Sequence, residues 1–147
     1  MFRKLGSLAL AALITISVSA WADPAAQARV VMDEFLAAFN ARDEGRWAET
    51  LLFPHIRIAG GGVNVTPDRQ SFLAATDLEQ FAIENDWDFS EWDSIETVHA
   101  APDKVHFKVV FSRFNPQGER YVTFDSLYVL QRVDGRWGIR ARSSFAP

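Results

Sequence analysis

The sequence predicts one α+β domain, with about three N-terminal helices and an antiparallel sheet wrapped around them. Two observations carry this. Apolar residues recur at helical spacing in the first half of the chain and alternate from Ser94 onward. No internal repeat or low-complexity linker divides the 147 residues, and 48% hydrophobic content suits a single packed core.

Each element has its own signal. Asp23-Pro24 opens the first helix, with Asp as N-cap and Pro at the first helical position. Ala28, Val31, Met32, Phe35, Leu36 and Phe39 then form one buried stripe. Asp43 caps a short second helix carrying Trp47, Leu51 and Leu52 on one side, and Pro54 stops it. The stretch HIRIAGGGVNV (55–65) reads as a small strand pair around a glycine turn. Its glycines lack the Lys-Ser/Thr ending of a phosphate loop. Thr66-Pro67 opens a third helical stretch to about Ile83, with Phe72, Leu73, Leu78 and Phe81 on its apolar side and Thr76-Asp77 as the place where it would break. ENDWDFSEWD (84–93) has no periodicity and reads as a loop packed on the core. Long strands follow, joined at the turns APDK, NPQG and VDGR.

The N-terminus reads as a secretory signal peptide. Arg3 and Lys4 precede the uncharged apolar run Leu5–Val18, and Ala20 and Ala22 occupy the positions a signal peptidase requires. Cleavage after Ala22 leaves residues 23–147 in the periplasm or outside the cell; the alternative is an uncleaved anchor. The whole chain carries a formal charge of −4, and losing Arg3 and Lys4 makes it two units more negative. No Lys/Arg cluster survives, which argues against nucleic acid as a partner. No membrane association is expected after cleavage. The absence of cysteine rules out disulfides, thiolate metal sites and thiol catalysis.

The turns also set a strand register. Pro102-Asp103 places His99 opposite His106 and Glu96 opposite Val109. The NPQG turn places Lys108 opposite Asp125, and Asp134-Gly135 places Leu130 opposite Ile139. One face then collects Val98, Val105, Phe107, Val109, Phe111, Val122, Phe124, Tyr128, Leu130, Trp137, Ile139 and Phe145, and must pack on the helices. The other collects His99, His106, Lys108, Asp125, Arg140 and Arg142, and must face solvent or a partner subunit. His99 and His106 are neighbours on that outer face, but a zinc site wants three or four ligands, so no metal site is expected.

The candidate functional residues are the polar exceptions. Glu96, Ser126, Tyr128 and Ser143 fall on the concave face, with Arg113, Arg120 and Arg132 toward strand ends. A carboxylate there needs either an arginine partner or a wet pocket, and in the second case burial suits Glu96 to general acid–base work. Tyr128 offers a hydrogen-bond donor to a ligand or to a backbone carbonyl. If Ile56 and Ile58 point into the core, His55 and Arg57 lie on the other side. At the start of the strand His55 can still lean over the mouth of the cavity, as a base or as a structural group, and Arg57 is a candidate ligand contact.

FLAAFNARDEGRWAETL (35–51), the proline-led strand after it and the closing GRWGIRARSSFAP (135–147) resemble the nuclear transport factor 2-like superfamily, over nearly the whole of residues 23–147. That resemblance implies a cystatin-like cone, a strongly curved sheet closed by helices around an internal cavity. Its members include isomerases, dehydratases and binding subunits. In ketosteroid isomerase-like members an aspartate base lies on the first strand. Here Ala59 or Gly60 stands at that position, so steroid isomerase chemistry does not carry over. The expected role is to bind a small apolar or aromatic ligand in the cavity, with no cofactor. The alternatives are a cofactor-free lyase or isomerase with Glu96 or His55 as base, and an accessory module that forms a homodimer through the outer sheet face, as is common in the superfamily.

Overall fold

The computed structural model describes residues 23–147, so the signal segment expected at residues 1–22 lies outside the described residues. The elements, in chain order, are helices α1 (Pro24–Asn40) and α2 (Glu44–Glu49), strands β1 (Leu51–Ala59) and β2 (Gly62–Thr66), helices α3 (Arg69–Ala74) and α4 (Leu78–Asn85), and strands β3 (Phe89–Ala101), β4 (Lys104–Phe114), β5 (Arg120–Val133) and β6 (Arg136–Ser144).

Each of the four described helices starts on an aspartate. Asp23, Asp43, Asp68 and Asp77 accept hydrogen bonds from the first-turn amides of Ala25, Arg46, Ser71 and Gln80. The third helical stretch does divide at Thr76-Asp77, and its first cap is Asp68 rather than Thr66. The second helix is shorter than expected. It ends at Glu49 with Thr50 as its C-cap, and Leu51 and Leu52 already belong to β1. The aromatic stretch expected as a loop is strand from Phe89 onward. Trp87, just before that strand, is fully buried and donates to Ser90 Oγ at 2.9 Å.

The sheet order is β2-β1-β6-β5-β4-β3. Neighbours pair antiparallel except β1 and β6, which run parallel. Close approach at this junction depends on Gly138. A Cβ there would lie 2.8 Å from Leu52 Cγ and 3.3 Å from the Thr50 carbonyl oxygen. The same carbonyl accepts the Ile139 amide at 2.8 Å. The turn between β1 and β2 uses Gly60 and Gly61 at φ 58° and 78°, a region that other residues adopt only under strain.

Ala28, Met32, Phe35 and Ala38 of α1 pack on Val105, Phe107, Val109, Tyr128, Leu130 and Ile139. Burying this apolar surface is the main stabilising term. Register shifts in the ladders bend the sheet around the helix. They also correct the expected register. His99 faces His106 as expected, their rings 5.7 Å apart. Beyond them, at Val98, an extra residue in β3 sets Glu96 against Lys108 rather than Val109. The second hairpin is offset by two residues, which preserves the faces but sets Lys108 against Leu127 and Asp125 against Val110. In the third, Leu130 faces Ile139 as expected. Then Val129 faces Ala141, so Arg140 is the extra residue. Past that bulge the faces exchange, and Arg142 and Ser144 turn inward while Ser143 turns outward. Phe145 (82% exposed) and Val98 (43%) are consequently exposed rather than core residues.

Candidate functional site

The concave face of the sheet and the helices enclose a cavity of about 360 Å³. Its apolar wall is aromatic: Phe35 and Phe39 from α1, Trp47 from α2, Phe72 from α3, Trp92 from β3 and Tyr128 from β5. These rings also brace one another. Tyr128 meets Phe35 and Trp92 edge-on at 5.8 and 5.9 Å, and Trp47 lies 5.3 Å from Phe35.

The polar side of the cavity starts at β1. His55 and Arg57 line it together with Asn64 and Thr66 of β2, while Ile58 is 46% exposed on the outer face opposite Val63. This reverses the expectation that Ile56 and Ile58 point into the core. Alternation shows which residues share a face, but not which face meets the core. Ile56 and Ile58 pair instead with Val65 and Val63 on the outer face.

His55 is buried, and its Nδ1 lies 3.1 Å from the Ile139 carbonyl oxygen. A carbonyl only accepts, so Nδ1 carries the proton and Nε2 of the neutral ring keeps its lone pair. Burial first, and then the charge of Arg142, lower the imidazole pKa from 6.5 to about 4. The ring is therefore neutral at pH 7.

Arg57 and Arg142 are direct neighbours across the β1–β6 ladder, and Tyr128 follows Arg142 on β5. Arg142 lies over the rings of Phe35 and Trp47 at 5.6 and 5.9 Å. Arg113 of β4, only 8% exposed, lies over Phe81 at 5.0 Å and Phe124 at 5.2 Å. Arg57 donates to the Pro147 carbonyl oxygen. Among the described residues Asp77 is the only acidic side chain on the cavity wall, and it is engaged as the N-cap of α4.

The structure thus brings His55, Arg57, Arg113 and Tyr128 together in one cavity. Ser126 is buried nearby and donates to Ser144 Oγ at 2.8 Å; Ser144, rather than the expected Ser143, lines the cavity. Glu96 is not in the cavity. It pairs with Lys108 on the outer face at 3.7 Å, its side chain 68% exposed. Sequence reasoning did not find Arg142 or Trp92 as site residues. Arg142 was hidden by the β6 bulge, and Trp92 by the irregular spacing of β3 before its own register shift. Arg120 and Arg132 lie outside the cavity, Arg120 paired with Asp93 at 3.0 Å. Among the described residues no group of three or more His, Cys, Asp or Glu could hold a metal ion, and no helix is long and apolar enough to cross a membrane.

Several solved structures share this architecture. An NTF-2 like protein of unknown function from Shewanella oneidensis superposes with a TM-score of 0.67 at 13% identity, covering 83% of this chain and 98% of its own. An NTF2-like protein with a cystatin-like fold from Novosphingobium aromaticivorans also reaches 0.67, at 9% identity, over 83% of this chain and 80% of its own. A candidate ketosteroid isomerase from Shewanella frigidimarina reaches 0.61 at 17% identity, over 80% of this chain and 94% of its own. At such identities the likeness concerns the fold alone. A search of curated proteins finds no match to this chain. The family model described as NTF2-like protein (DUF6841) matches residues 25–145, and the chain belongs to that NTF2-like family.

Proposed function

We propose that this is an exported binding protein that holds a small molecule with an aromatic or otherwise apolar body in the cone cavity. The observation that carries the reading is the cavity itself, about 360 Å³ with an aromatic wall and a polar patch on one side. That volume and that division of lining are typical of small-molecule sites. The apolar wall supplies affinity through burial, and the polar patch orients the ligand. Native mass spectrometry of the protein purified from its own host tests the reading. A retained small molecule, one per chain, is expected; a bare chain under conditions that preserve the fold contradicts it.

His55 favours a second reading, a cofactor-free lyase or isomerase. Its Nδ1–H is fixed on the Ile139 carbonyl, and the ring lines the cavity as a neutral imidazole. A base with a pKa of about 4 is weak at neutral pH, which makes binding the preferred reading. Glu96, outside the cavity, offers no second base. Turnover that disappears in His55→Asn while ligand binding persists would establish the enzyme.

The outer face carries an apolar row. Val63 pairs with Ile58, which neighbours Ser143, which pairs with Leu127. Val63, Ile58 and Leu127 are 68%, 46% and 42% exposed. A homodimer through this face is compatible with ligand binding inside the cone, and sedimentation measurements on the parent and Ile58→Glu test it.

A further inference from the structure

The cavity arginines differ from other arginines of the molecule. Arg29, Arg46, Arg69 and Arg120 are paired with carboxylates at 2.7–3.0 Å. Arg136 donates to the carbonyl oxygens of Glu49 and Leu51. Arg140 donates to Gln131 Oε1 and the Pro54 carbonyl oxygen. Among the described residues Arg113 and Arg142 have no carboxylate side chain within ion-pair distance, and Arg57 has only the main-chain oxygen of Pro147. The buried Nε of each finds no acceptor there; Arg42 Nε, outside the cavity, is also unmatched, but that side chain lies near Glu79 and Asp88. Two further donors in the same wall, the indole Nε1 groups of Trp47 and Trp92, are buried and likewise unmatched.

Five unmatched donors around one cavity are not a structural accident that folding would favour. Buried polar groups are normally hydrogen-bonded, and buried charges are normally paired. Three guanidinium groups in one wall also repel one another. Burial first, and then Arg142, lower the pKa of Arg57; burial is likewise the leading cause of the lowering at Arg113. The one acidic side chain of the wall among the described residues, Asp77, is occupied by the amide of Gln80 at 2.8 Å.

The geometry also prepares these groups for a ligand. Arg113 and Arg142 rest on aromatic rings, and beyond the contact of Arg113 with the Tyr121 hydroxyl each presents a planar fork of N–H donors at its edge. That edge matches a carboxylate or phosphate, which accepts two parallel hydrogen bonds. Opposite them stands the aromatic wall.

We infer that the ligand of this cavity is an organic anion, with an apolar or aromatic body against Phe35, Trp47 and Trp92 and an acidic head held by Arg57, Arg113 and Arg142. This rests on the reading of the cavity as a ligand site and adds the chemical class. The shared requirement is an oxyanion head, and carboxylate and phosphate are its two sources. The anion's charge relieves the repulsion among the three arginines.

Calorimetric titration of the chain from Asp23 with matched probes tests this. The probes are 2-naphthoate, 2-naphthyl phosphate and neutral 2-naphthamide, with dodecanoate and dodecanamide as an aliphatic pair. At least one acid is expected to bind about tenfold or more tightly than its amide, since a hydrogen bond to a charged group exceeds a neutral one by about that factor. The preferred head is the one with the lower Kd of the two naphthyl acids. Arg113→Met and Arg142→Met should each weaken the preferred acid about tenfold and leave the amide within about threefold. Arg142→Lys, which keeps the charge without the fork, should retain part of the preference and serves if a Met variant fails to fold. Equal binding of acids and amides, or acid binding insensitive to these substitutions, overturns the anion inference and leaves the apolar-ligand reading standing. Binding by none of the five probes overturns both.

Discussion

His55→Asn isolates the effect of burying an imidazole beside three arginines. Asparagine Nδ2 stands close to where the histidine Nδ1 was, so it can still donate to the Ile139 carbonyl while removing the titratable ring. In the folded chain burial, aided by Arg142, Arg140 and Arg57, holds the pKa of His55 at about 4 against 6.5 when unfolded. Between those values the unfolded chain binds a proton that the folded chain does not. Stability therefore falls as pH drops through this window. The contribution is complete above about pH 6.5 and fully lost below about pH 4. At 1.36 kcal/mol per pKa unit, the loss is about 3 kcal/mol. The assay is urea unfolding, followed by tryptophan fluorescence, at a series of pH values from 7 down to 4 for parent and variant. Other groups titrate in both chains and cancel in the difference. The parent should lose about 3 kcal/mol more than His55→Asn across the window. Parallel curves would mean that the folded imidazole takes up its proton over the same pH range as the unfolded one, and the lowered pKa described here would be wrong.

Three further outcomes follow. Phe107→Ala, at a residue 2% exposed in the core, should cost about 3–5 kcal/mol, whereas Lys108→Ala on the outer face should cost at most about 1 kcal/mol; denaturant midpoints in the reverse order would mean a one-residue slip of β4. Gly138→Ala should destabilise by about 1–3 kcal/mol because the new methyl group meets Leu52 Cγ and the Thr50 carbonyl, and an unchanged melting temperature would show that β1 and β6 are not so closely apposed. Intact-mass analysis of the exported fraction should give a chain beginning at Asp23, and recovery of the full-length cytosolic chain alone would contradict export.

How far the sequence discloses this molecule depends on the range of the forces involved. The first two helix starts were legible because capping is local: an aspartate and the amides two or three residues on are enough, while the third was placed on Thr66 instead of Asp68. The register near the first and third turns was legible for the same reason, as the His99–His106 and Leu130–Ile139 pairs show, whereas after NPQG it was misread by two residues. Far from a turn, one extra residue exchanges the two faces of a strand. Bulges at Val98 and Arg140 did this, moving Glu96 out of the cavity and Arg142 into it. Hydropathy gave no warning. The unbulged register placed Phe145 inside and Arg142 outside, which is what burial alone would favour. The same bias misplaced His55 and Arg57, because a cavity wall can use polar residues where a solid core would reject them. Trp47 and Tyr128 were legible as core-facing rings, and only the assembled cone shows that they border space rather than other side chains.

The indole N–H groups provide the most direct test of the central claim that the cone cavity is where a ligand binds. Trp47 and Trp92 line the cavity with unmatched Nε1 groups. Trp87 and Trp137 are hydrogen-bonded elsewhere, to Ser90 Oγ and Gln27 Oε1, each at 2.9 Å. Trp137 instead borders a separate, open depression with Val30, Val31 and Glu34. A ¹H–¹⁵N spectrum of the indole groups, assigned by single Trp→Phe substitutions and recorded during titration with 2-naphthoate, reports on all four at once. The account predicts that the Trp47 and Trp92 resonances move together and saturate, while those of Trp87 and Trp137 stay in place. Movement of Trp137 with Trp47 and Trp92 unmoved would place the ligand outside the cone and contradict it.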